Sequence, residues 1–162
     1  MTKLTMTTTT KPRATLEQRR AAHAWSFIEH VSKNRKLLIP DKSNPASLKA
    51  TDQDKKLGTE IKKLSTRIIA SGLGQAITFL HAKEAAPLLE QVISQWLLND
   101  RPEKFNEQLK SNGKDLIDKI IHSSSAKLCD QTEEALAYLP WLSRFAEAVG
   151  LMDKPDDNQG EN

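Results

Sequence analysis

The sequence predicts an all-α fold: one compact bundle of about six helices, with disordered termini. Three observations predict it. Apolar residues recur every three or four positions in segment after segment, and no stretch alternates apolar and polar residues for more than a few positions. Proline and glycine fall mostly where those periodic segments begin or end. The 162 residues and 18.2 kDa suit a single core that folds without disulfides or metals.

Each element has its own justification. Residues 1–14 are expected to form a disordered arm, because the Thr-rich opening has little to bury. Thr15 with Gln18 three residues on forms a capping box that starts the first helix. That helix is expected to run to Lys36 and to bury Ala21, Trp25, Ile28 and Val31. Phe27 sits at the edge of its polar face and is expected to fill a corner of the core. Pro40 and Pro45 mark a loop. The second helix, 51–71, carries an apolar stripe of Leu57, Ile61, Leu64 and Ile68, and Gly72 stands where a left-handed cap belongs. A short third helix follows over 74–83, with Leu73 plugging the core. Pro87 suits the first turn of a fourth helix, 87–98, whose apolar set of Leu88, Leu89, Val92, Ile93, Trp96 and Leu97 is wide enough to be buried on two sides or to dock a partner. Pro102 opens a fifth helical stretch that Asn112-Gly113 breaks before further turns over 115–121. The last helix, 125–149, ends at Gly150 and is expected to kink at Pro140, which has no N–H to donate. The helical domain thus covers 15–151, and an acidic disordered tail covers 152–162.

Several function classes are disfavoured. No apolar run approaches the roughly 18 residues of a membrane span, and the opening lacks the apolar region of a secretory signal, so no membrane partner is expected. Cys129 is the sole cysteine, which rules out an internal disulfide and a cysteine-based zinc site and fits a cytoplasmic setting. Walker A, dinucleotide-turn, His-Glu-x-x-His and nucleophile-elbow patterns are missing. His23, His30, His81 and His122 are scattered, with no third ligand at metal spacing. The expectation is a protein that is not an enzyme and has no cofactor, metal or catalytic residue.

Charge is the informative quantity. The net +3 conceals an uneven chain: up to Arg67 there are 15 Lys and Arg against 6 Asp and Glu, and from Ile68 onward 9 against 15. A basic half of this size points to a polyanion. On the first helix Arg19, His23, Ser26, His30 and Lys33 fall in one stripe, about 20 Å long, nearly opposite Trp25 and Ile28. The second helix adds Lys56, Lys63 and Arg67 on one flank and Lys55 and Lys62 on the other. With cations, hydroxyl and imidazoles but no aromatic platform, such a ridge suits a nucleic-acid backbone without base reading. The candidate RNA-binding residues are Arg19, Arg20, His23, Lys33, Lys56, Lys62, Lys63, Arg67, Lys83 and Arg144. The alternative is a helical protein–protein adaptor whose basic face meets acidic subunits.

Three segments sharpen the reading: Gln18-Arg19-Arg20-Ala21-Ala22-His23-Ala24; residues 68–83 with Ser71-Gly72-Leu73-Gly74 at their centre; and residues 132–148, containing Tyr138-Leu139-Pro140-Trp141-Leu142-Ser143-Arg144-Phe145. Together they resemble the small-subunit family of the type III-B CRISPR–Cas effector, the Cmr complex, over about 15–150. Ser143 stands where the family often has lysine, and Leu128 where it often has an aromatic. The resemblance implies a non-catalytic helical subunit of antiviral defence that stacks on further copies of itself and on the backbone and large subunits. It also implies that such subunits line the channel for guide RNA and target RNA, while the guide reads sequence by pairing.

Overall fold

The computed structural model describes residues 13–34, 52–84 and 86–152. Among these residues there are six helices and no strand: α1 Leu16–Asn34, α2 Asp52–Ser71, α3 Leu73–Lys83, α4 Pro87–Leu98, α5 Gly113–Ile121 and α6 Ser125–Ala148. The expected ends near Lys36 and Thr51, the loop prolines Pro40 and Pro45, and most of both tails lie outside the described residues.

α4 is the centre. Leu89, Val92, Ile93 and Trp96 are fully buried, and the helix touches α2, α3, α5 and α6. α1 lies along α6, α2 packs between α6 and α3, and α3 lies against α5. The stripe on α2 behaves as its spacing demands, with Leu57, Ile61, Leu64 and Ile68 all buried. Thr15 caps α1 as expected: its Oγ1 accepts from Gln18 N at 3.2 Å, and Gln18 Oε1 accepts from Thr15 N at 2.8 Å. Gly72 ends α2 and starts α3 at once. Its φ of 84° has the sign expected of the cap, but its ψ of 160° is extended rather than left-handed helical, a combination that only glycine adopts without strain. Leu73 follows into the core.

Three expectations need correction. Trp25 is 41% exposed, and Ala24 and Phe27 take the buried positions beside Ile28 and Val31. The buried face of α1 is therefore turned toward His23 and Phe27 relative to the reading from Trp25. Second, segment 99–112 is irregular, although Pro102 suggested a helix. Side chains satisfy its backbone where a helix would have done so: Gln95 Nε2 donates to Asn106 O and Gln95 Oε1 accepts from Asn106 N, both at 2.8 Å, and Ser26 Oγ accepts from Phe105 N at 2.7 Å. Third, the fold includes Met152, which the sequence placed in the tail. Leu151 and Met152 fold onto α2 at Gly58, where an added Cβ would stand 2.5 Å from Leu151 O.

No helix among the described residues is long and apolar enough to cross a membrane.

Candidate nucleic-acid interface

The polar ridge expected on α1 is largely covered: His23 is buried, Arg19, Ser26 and His30 are half-buried, and Lys33 is exposed. Segment 99–112 lies across it. Arg19 Nη2 donates to Asp100 O at 2.6 Å and also to Arg101 O. Asp100 and Arg101 both have positive φ, 50° and 56°, so the guanidinium clamps two consecutive residues in a conformation that costs L side chains energy. His30 stands 3.6 Å from the Glu107 carboxylate and packs on Phe105. Arg20 is turned inward: Nε and Nη2 bind Glu134 at 2.8 and 2.7 Å, and Nη1 binds Glu17 at 2.8 Å.

His23 is fully buried, and the exposed position expected for it is corrected accordingly. Its tautomer follows from its neighbours. Asn106 fixes the Gln95 amide with Oε1 toward the imidazole, so His23 Nε2–H donates to it at 3.3 Å. Nδ1 must then accept from the Tyr138 hydroxyl at 2.7 Å. The rings of Trp96, Phe105 and Tyr138 surround the imidazole. Burial depresses its pKa to about 4, against the hydrogen bond it donates to Gln95, which works the other way. Burial also lifts the Tyr138 phenol well above its ordinary value. At Glu134 burial pushes the pKa up, but hydrogen bonds from Arg20 and Trp96 outweigh it and the net direction is down. Arg20 is held still more firmly protonated by its bond to Glu134, and Glu17 is lowered by Arg20 and then by the Trp141 indole.

The flank of α2 is the opposite case. Lys56 and Lys63 are exposed, one flank apart from the buried stripe, and Arg67 continues their line. Arg67 pairs with Glu60 through Nη1, and its guanidinium carbon lies 4.4 Å from the centroid of the Phe79 ring on α3. Lys83 is exposed one turn beyond, its Nζ 6.0 Å from the same centroid. The fold thus gathers Lys56, Lys63, Arg67 and Lys83 on one surface. It does not bring the rest to them. Lys62 points to the other side, 3.7 Å from Glu147 of α6. Lys33 is exposed near the end of α1, and Arg144 is exposed on α6 beside Trp141 and Pro140.

A family model described as CRISPR-associated protein (Cas_Cmr5) matches residues 16–149. The chain belongs to the Cmr5 family. Its fold also matches the X-ray crystal structure of a CRISPR-associated Cmr5 family protein from Thermus thermophilus, with a TM-score of 0.58. The identity is 20%, over 84% of this chain and 98% of that one, a likeness of fold. The Cmr5-like segments are largely architectural here: Ser71-Gly72-Leu73 is the α2–α3 junction, while Tyr138, Leu139 and Leu142 are core. Trp141 and Phe145 are only partly buried and pack on each other.

The sequence reading missed Phe79. It is 42% exposed, off the buried set of Leu73, Ala76, Ile77 and Leu80. The signal was present, since Phe79 precedes Lys83 by one helical turn outside that apolar stripe.

Proposed function

We propose that the chain is a non-catalytic subunit of the Cmr effector that holds RNA by its phosphates along the α2 flank. The observation that carries this reading is the row of Lys56, Lys63 and Arg67, continued by Lys83: the three lysines are exposed, while Arg67 meets Glu60 of its own helix and Phe79 of α3. From Lys56 to Arg67 the row extends about 16 Å. Cations held in water cost little to keep there and displace counterions when a strand arrives. Guide RNA and target RNA are the strands such an effector holds, and backbone recognition suffices because base pairing reads the sequence. The histidines are committed elsewhere, His23 to the core, His30 near Glu107, His81 to Glu90 and His122 to Asp118, which fits a subunit without chemistry of its own in antiviral defence. Exposed Ile69, Ile121 and Trp25 support contacts with neighbouring copies and with the backbone and large subunits.

The test is RNA binding by the assembled effector as a function of salt. Replacing Lys56 and Lys63 together by alanine should lower the slope of log affinity against log salt by about 1.4, since each lost phosphate contact on a single strand contributes about 0.7. The loss should be similar for unrelated guide–target pairs. An unchanged slope, with assembly impaired instead, would select the adaptor reading, which the exposed isoleucines favour.

A further inference from the structure

We propose that Phe79 and Arg67 form a stacking site for one unpaired nucleobase of the RNA that the α2 flank holds; the inference rests on that RNA-binding reading. Phe79 is an aromatic ring left 42% exposed between cations, when α3 has a complete buried face without it. The ring is not loose. Arg67 lies over it at 4.4 Å, and Glu60, itself only 8% exposed, holds Arg67 by Nη1. A planar cation locked on an aromatic ring makes a preorganised platform, and every base has a π face to offer it. Phe79 also borders an open hollow between α3 and α5, lined as well by Ala82, Ile117 and Ile121. The hollow gives a base room beside the ring.

Charge decides the occupant. An apolar peptide seated here would strip water from Arg67 and Lys83 without returning a counter-charge. A nucleotide supplies both halves: its base meets Phe79, and its phosphates reach Lys63, Arg67 and Lys83. Stacking has no sequence preference by hydrogen bonding, so the site is compatible with an effector that must hold any guide.

The assembled effector provides the test, with RNA targets carrying 2-aminopurine at each position in turn along the guide-paired segment and its flanks. In the F79L effector one position should brighten relative to wild type as its base loses its stacking partner. In the F79Y effector that position should stay quenched. F79L should also weaken target binding roughly tenfold with an unaltered salt slope, because stacking releases no counterions, whereas K63A should reduce the slope. Wild-type affinity and an unchanged fluorescence pattern in F79L, with the K63A slope reduced, would overturn the stacking site and leave the phosphate reading standing. Loss of effector assembly in F79L would overturn it in favour of a protein contact. An unaltered slope in the combined lysine variant would remove the RNA reading and this inference with it.

Discussion

The polar faces of α1 and α2 have nearly the same sequence character and opposite fates. Each carries cations at helical spacing away from an apolar stripe. On α1 that face is roofed by segment 99–112, so Arg19 becomes a clamp, Ser26 a hydrogen-bond acceptor and His23 a core residue. Among the described residues nothing equivalent covers α2, and Lys56 and Lys63 are exposed. A charged stripe therefore reports which residues can face a polyanion only once the irregular segments are placed. Loops bring no periodicity to the sequence, and this one takes its backbone partners from side chains on two helices.

The largest expected effect comes from breaking the covered side. Glu134 accepts from Arg20 and from the Trp96 indole in a site where it is 5% exposed. Glu134→Ala should cost about 3–5 kcal/mol, because an ion-pair partner and a buried donor are both left without an acceptor. Urea denaturation measures this. A cost below about 1 kcal/mol would mean that Arg20 swings out to water, and that the α1 face is less committed to the interior than the structure shows.

Much of the fold was legible because helix caps and core stripes are local. Thr15, Gly72, Pro87 and the Leu57–Ile68 stripe announced the helices through spacing alone. The site was legible in half. Lys56, Lys63 and Arg67 need only a helix and its buried face, both of which the sequence provides. The burial of His23 needs Gln95, Tyr138 and Phe105, which lie 72 to 115 residues away in the first two cases. Trp25 misled for a related reason: as a large aromatic it outranked Ala24 and Phe27 in the apolar pattern, yet it rests edge-on against Phe145 at the surface.

The next effect is a pH dependence that belongs to the covered face alone. The unfolded chain protonates His23 near 6.5, its ordinary value, and the folded chain only near 4. Stability is therefore complete above about pH 6.5 and declines as pH falls toward 4, since the unfolded state binds the proton first. The loss attributable to His23 is on the order of 3 kcal/mol. Below that window the lowered carboxylates Glu17 and Glu134 take over, and their contributions disappear as they protonate. Urea melts at pH 7, 5.5 and 4.5 should show the decline in the native chain. His23→Gln should flatten it, and a slope that survives the substitution would assign it to other groups.

The smallest effects set the two faces side by side. Arg19→Ala removes a donor shared by two carbonyls in the left-handed turn at Asp100 and Arg101, and should cost about 1–2 kcal/mol. Lys63→Ala removes an exposed cation from α2, and its stability change should stay within about 0.5 kcal/mol. RNA binding by the effector should rank them in the reverse order. Lys63→Ala should lower the salt slope by about 0.7, while Arg19→Ala should leave the slope alone because its guanidinium is already spent on backbone carbonyls. Paired chemical melts and salt titrations of the two variants give four numbers. If Arg19→Ala proves silent in the melts and changes the slope, segment 99–112 does not roof α1 in the assembled effector. The ridge read from the sequence would then be open in the complex after all.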